Sequence, residues 1–230
     1  MSRADRAASA ILEDIARGEH PVGSELPAEA DLAASLDVSR LTLREAVKSL
    51  AAKGVVVVRH GKRAQVADPD SWDLLDAELM TLRGRLRGEE RQLALKMMEM
   101  RRIVEVGAAE LAAERISDSR LAVLAEQIEI MDRAGAADDV ETVVAADLRF
   151  HQLIVEAAEN EYLLATYRPM TEVLQAVRLR TSASPSVRAD ADHWHRRVLE
   201  ALRARHPEAA IAAMEGHMRQ TQCAIEEEIG

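Results

Sequence analysis

The chain has 230 residues, with 30 Lys and Arg against 40 Asp and Glu, a net charge of −10 and only 2% aromatic residues. That length fits one or two domains, and a composition 48% apolar and 30% charged excludes a disordered or fibrous chain. Cys223 is the single cysteine, which excludes an intrachain disulfide framework and a cysteine-only zinc site. No apolar run approaches the roughly 18 residues that span a bilayer, and the charged N-terminus has no apolar signal region, so a cytoplasmic protein with no membrane partner is expected.

The charge is unevenly placed. Residues 1–37 hold three Lys/Arg against eight Asp/Glu, residues 38–67 seven against Glu45 alone, and residues 68–230 twenty against thirty-one. A compact basic segment inside an acidic chain suits phosphates. On charge alone it describes a solvated basic face equally well.

In chain order, Ala7, Ile11 and Ile15 recur at helical spacing within a segment from Arg3 to Arg17 that stops at Gly18. A turn-rich stretch leads to a short helix over about 28–35. A longer helix over about 39–53 opens at Ser39 and ends before Gly54. Val55–Val58 and Ala64–Val66 flank His60-Gly61-Lys62 and read as a small β-hairpin, or wing. Helix, helix, helix, hairpin is the layout of a winged helix-turn-helix, expected over residues 1–67. Residues 68–84 are expected to form a linker and connecting helix. The remainder, 85–230, carries helical periodicity broken near 84–88, 117–118, 135–138, Asn160, 182–186 and 206–207, which predicts six or seven helices in an antiparallel bundle. The predicted fold is mainly α: a winged helix-turn-helix with a small hairpin, followed by an all-α bundle.

Within the helix that follows Ser39, Leu43, Ala46, Val47 and Leu50 repeat at i, i+3, i+4, i+7 and face inward. Arg40, Arg44 and Lys48 then form one outward stripe on the N-terminal half, where a recognition helix enters the major groove. Arg can bridge guanine O6 and N7, and Thr42 suits a phosphate or a thymine methyl. His60, Gly61 and Lys62 stand where a wing would reach an adjacent minor groove. This reading requires the guanidinium groups of Arg40 and Arg44 to face solvent, not the chain's own carboxylates.

Leu26-Pro27-Ala28-Glu29, Leu32-Ala33, Val38-Ser39-Arg40, Leu43-Arg44-Glu45-Ala46, Gly54 and His60-Gly61-Lys62 together resemble the GntR family of bacterial transcription regulators, and within it the fatty-acid-regulator subfamily. The resemblance implies that Arg40, Arg44 and His60-Gly61 touch operator DNA, with Ser39, Thr42, Lys48 and Lys62 in support. One position departs from the pattern: Ala30 stands where the family usually has Arg, so one base contact is missing and operator preference should differ.

In the second half, Val140, Val144, Asp147, His151, Ile154 and Ala158 make one helical stripe, which puts Asp147 and His151 at i, i+4 on a face that should be buried. His195 lies on the Ala191, Val198, Leu202 stripe, and His217 borders that of Ile211, Met214 and Met218. Buried carboxylates and imidazoles need partners. On spacing alone the four residues fit either a divalent transition-metal site (zinc, nickel or manganese) or hydrogen-bonded core histidines. His193, His20 and His206 are not expected as ligands. Asp147 to His151, His195 to Leu202 and Pro207 to Met218 resemble the FCD-type ligand-binding domain of the same subfamily, which implies a metal on Asp147, His151, His195 and His217. Arg101, four residues before Glu105, reads either as a fork for an effector carboxylate or as an ion pair. Arg178 and Arg180 are weaker candidates, and Met97, Met98 and Met100 read as packing.

The expected function is a homodimeric regulator that binds near-palindromic operator DNA, most simply as a repressor, under control of a small organic acid. It is not expected to be an enzyme. The alternatives are a metal-dependent enzyme acting on a small carboxylic acid, and an architectural DNA-binding protein without effector.

Overall fold

The structure is a computed structural model that describes residues 2–228. Its contacts divide the chain into two compact units, Met1–Arg87 and Gly88–Gly230.

The first unit begins with α1 (Arg3–Ala16), opened by a capping box in which Ser2 and Asp5 exchange side-chain and backbone hydrogen bonds. Next come α2 (Glu29–Ser35) and α3 (Arg40–Ala52). Ser39 caps α3, its hydroxyl accepting from the Thr42 amide at 3.1 Å. At the other end, Gly54 N–H donates to Ala51 C=O and Val55 N–H to Leu50 C=O, the paired bonds of a Schellman cap. Gly54 has φ +76°, and a Cβ there would stand 2.1 Å from the Ser71 carbonyl oxygen, so only glycine fits. The wing pairs β1 (Val56–Val57) antiparallel with β2 (Gln65–Val66), and Glu25 bridges to Gln65. The strands are shorter than the valine run suggests. One reason is that the Val55 amide is committed to closing α3.

A 3-10 turn (Pro69–Ser71) and α4 (Ala77–Arg87) follow. Trp72, Leu79 and Leu82 join the core built by Ile11, Ile15, Leu43 and Leu50. The segment expected as linker and connecting helix therefore packs on the first unit.

The second unit contains α5 (Glu90–Arg115), α6 (Asp118–Ala136), α7 (Val140–Ala157), α8 (Glu161–Tyr167), α9 (Met170–Thr181), α10 (Pro185–Arg203) and α11 (Pro207–Glu228). Ser117, Asp139 and Asn160 cap α6, α7 and α8 through their side chains. Gly135 does not end α6; Asp138, at φ 55°, takes the left-handed position beyond it. The break before Pro169, which separates α8 from α9, has no counterpart in the periodicity. The small buried residues Ala109, Ala112 and Ala113 of α5 share one core with Phe150 and Ile154 of α7 and Leu202 of α10. Met97 and Met98 are buried packing residues. Among the described residues, no helix is long and apolar enough to cross a membrane.

Candidate nucleic-acid interface and candidate metal centre

Leu43, Ala46 and Leu50 are buried beneath α3, so the opposite face of the helix is presented to solvent. Arg40, Arg44 and Lys48 are all exposed on it, Thr42 is half-buried, and His60, Gly61 and Lys62 are exposed on the wing. Arg44 departs from the expectation in one respect: its Nε donates to Glu29 on α2 at 2.9 Å. The side chain nonetheless remains 66% exposed, and an exposed pair of this kind is worth at most about 1 kcal/mol. The helix-turn-helix packing itself creates it, by setting the first turn of α2 beside α3. Leu41, 70% exposed next to Arg40, is an apolar surface residue that the charge pattern did not single out. Ala30 is exposed on α2.

In the second unit, Asp147 and His151 project from α7, His195 from α10 and His217 from α11, all four buried. One potential ligand atom from each lies within 4.8 Å of every other. His151 Nε2 and His217 Nε2 are 3.1 Å apart with the rings stacked at 10°. His195 Nε2 is 3.2 Å from Asp147 Oδ1, and His151 Nε2 is 3.8 Å from the same oxygen. Close approach of α10 and α11 depends on Gly216, where a Cβ would lie 2.2 Å from the Trp194 ring. Two neutral imidazoles aimed nitrogen to nitrogen need a shared proton or a shared cation between them. Three imidazole nitrogens and one carboxylate oxygen are a donor set for a divalent transition metal, so the residues fit such an ion.

The surroundings are charged and closed. Glu105 Oε2 lies 2.5 Å from His151 Nδ1, a carboxylate placed to pair with that side of the imidazole and leave Nε2 toward the cluster. Glu105 also accepts from Arg101 Nε. Burial pushes the Glu105 carboxyl up, but Arg101 and His151 outweigh it and hold the group down at about 2. Burial lowers His151 to about 4 despite Glu105. His217 falls well below the usual imidazole value through burial, reinforced by His195 and His151. Burial would raise Asp147; Arg178 and the His195 bond win and keep it ionised, well below the usual carboxylate range.

Of the two readings of Arg101, the structure shows the ion pair. Arg101 pairs with Glu105, yet Nη1 and Nη2 are buried with no hydrogen-bond partner among the described residues. The buried Tyr167 hydroxyl is similarly unpartnered, within electrostatic reach of Glu105, Arg101 and Asp147. Arg178 makes a bidentate pair with Asp147, whereas Arg180 sits on the surface against Glu90. Tyr167 escaped the sequence reading because a lone tyrosine on a short helix carries no spacing signal. His193 is exposed, His206 caps α11 by accepting from the Ala209 amide, and His20 belongs to the first unit, 3.9 Å from Asp14.

Comparison with known proteins finds one family match within each unit. Residues 3–66 match the model of the bacterial regulatory proteins of the gntR family, and residues 96–220 match the FCD domain. The HTH-type transcriptional repressor NanR of Klebsiella aerogenes is 30% identical over 213 residues, covering 89% of this chain and 78% of that protein. NanR of Salmonella newport is also 30% identical, over the same shares. Among solved structures, a GntR protein of Streptococcus agalactiae aligns over 96% of this chain and 99% of its own, at 27% identity and TM-score 0.54. The Listeria monocytogenes protein Lar shares the fold at TM-score 0.70 and 21% identity, over 99% and 98% of the two chains.

Proposed function

This chain belongs to the GntR family of bacterial regulatory proteins and carries an FCD domain, and we propose that it is a homodimeric repressor whose hold on operator DNA is set by a small organic acid bound at a metal-containing pocket. Residues 1–67 are the DNA reader and 68–87 pack on the same unit; the effector and dimerisation domain begins at Gly88 rather than at the expected residue 85, because α4 continues through Gly84 to Arg87. In the reader, Arg40 and Arg44 address base edges, with Leu41 available to a thymine methyl. Ser39, Thr42 and Lys48 hold phosphates, while His60, Gly61 and Lys62 enter the minor groove. A phosphate or guanine can replace the half-buried Glu29 as partner of the exposed Arg44. Two readers related by a dyad favour a near-palindrome with half-sites about one helical turn apart.

In the effector domain, Asp147, His151, His195 and His217 would hold a divalent ion such as zinc, nickel or manganese. When bound, such an ion supplies a Lewis-acid anchor for a carboxylate oxygen. Arg101 offers the acid its two unpartnered guanidinium nitrogens, and the Tyr167 hydroxyl a further hydrogen bond. The acid shifts operator affinity only by its differential affinity for the two arrangements of the dimer.

The observation that carries this reading is the convergence of four buried ligand atoms beside a buried guanidinium with two free arms. A thermal-shift screen of small carboxylic acids, with and without zinc, tests it, because a ligand of the native state raises its melting temperature. Acids that stabilise only in the presence of metal, and only when Arg101 is intact, are expected. Uniform indifference to metal and acids would overturn it.

A further inference from the structure

The ligand cluster already touches a cation belonging to the chain. Arg178, on α9, is 2% exposed and holds Asp147 with two bonds, Nε to Oδ2 and Nη2 to Oδ1, each 2.9 Å. Oδ1 is the oxygen that faces His195 Nε2 and His151 Nε2. Nη2 also lies 3.4 Å from His217 Nε2. One guanidinium nitrogen thus reaches both the carboxylate and an imidazole of the set that a metal would need.

The buried charges explain why a cation of the chain's own stands there. Arg101 and Arg178 are balanced by Glu105 and Asp147, all four buried. Without Arg178, Asp147 would be an uncompensated anion in the core. A divalent ion on Asp147 reverses the problem, since it adds two positive charges beside an arginine that no longer has a carboxylate to itself. Arg178 has somewhere to go. Together with Asp147 and His195 it lines a cleft of about 260 Å³, whose walls also include Ser182, Arg188, Asp192 and Asp132; both aspartates are held by Arg196.

We infer that Arg178 is the chain's own stand-in for the metal: a divalent ion displaces its guanidinium from Asp147, and the displaced group becomes the anion-binding arm of the cleft, suited to a carboxylate. The inference rests on the metal reading proposed above. It makes metal and acid mutually reinforcing, because the acid neutralises what the metal has unpaired.

Zinc affinity of the full-length protein, measured near neutral pH by competition with a fluorescent chelator, tests this. If Arg178 competes with the metal, Arg178→Gln should bind zinc about tenfold more tightly than wild type, within the usual range of coupling between sites. Arg178→Lys, which keeps the charge without the fork, should fall between them. Propionate should tighten zinc binding roughly fivefold or more in wild type and clearly less in Arg178→Gln, which keeps only the metal and Arg101 as anchors; equal tightening in the two would overturn the anion-binding role of Arg178. A zinc-loaded crystal structure should show Arg178 off Oδ1 and turned into the cleft, a readout that stands even if the glutamine variant does not fold. Equal or weaker zinc binding by Arg178→Gln, or both Arg178–Asp147 bonds intact beside bound zinc, overturns the inference while leaving the metal reading in place. No propionate effect in wild type overturns its anion-binding half. Absence of zinc binding in wild type and variants alike removes the metal reading, and this inference with it.

Discussion

Glu105→Gln separates the structural role of one buried carboxylate from the imidazole-orienting role it would have at the proposed metal site. Glu105 is fully buried and serves two partners, Arg101 on one oxygen and His151 Nδ1 on the other at 2.5 Å. The amide keeps the shape but removes the charge, which strands the Arg101 guanidinium in the core. Breaking a buried pair from one side costs about 3–5 kcal/mol, a large part of the roughly 5–15 kcal/mol that holds a domain together. Removing both charges, as in Arg101→Met with Glu105→Gln, should recover most of that loss, since what is costly is the unpaired ion. The two units contain one tryptophan each, Trp72 and Trp194. In a Trp72→Phe background, urea unfolding followed by Trp194 fluorescence therefore reports the helical bundle alone. Both Glu105 variants should also bind zinc roughly 10–100-fold more weakly, as expected for loss of an outer carboxylate. A loss below about 1 kcal/mol for the single variant, or a double variant no more stable than the single, would refute the argument from buried charge.

Stability of the metal-free protein should fall as pH drops. His151 and His217 are held neutral in the folded state, so the unfolded chain takes up protons near 6.5 that the folded one refuses until about 4 in the case of His151. Each imidazole then costs at most about 1.4 kcal/mol per pH unit in that window. Glu105, ionised in the fold down to about 2, adds a further loss below about 4.5. Urea midpoints that stay level between pH 7 and pH 5 would contradict this. Gly216→Ala should cost about 1–3 kcal/mol by overpacking against Trp194 and should weaken zinc binding by separating His195 from His217. Wild-type stability and affinity in that variant would show that α10 and α11 can part freely.

Much of this was legible in the sequence because the signals are local. Ser39 and Gly54 bound α3 by cap chemistry, and the Leu43, Ala46, Leu50 repeat determines which face of the helix points outward. Asp147 and His151 share a face by i, i+4 geometry, and the stripes carrying His195 and His217 point inward for the same reason. The contacts around them were less legible. Arg178 reaches Asp147 across 31 residues, and the open arms of Arg101 depend on how α5, α7 and α8 are set against one another. Register between helices leaves no periodic trace in a single chain. The same holds for Glu29 and Arg44, an exposed pair formed only when α2 folds onto α3.

Selection from a random duplex library bears most directly on the regulator reading. Wild-type protein should enrich a near-palindrome with half-sites about one helical turn apart. Arg40→Ala and Arg44→Ala, each expected to forfeit a base contact worth roughly 1–3 kcal/mol, should keep the wild-type oligomeric state and lose that motif. Enrichment of the same sequence by both variants, or of no sequence by wild type, would contradict the assignment of α3 as the element that reads DNA.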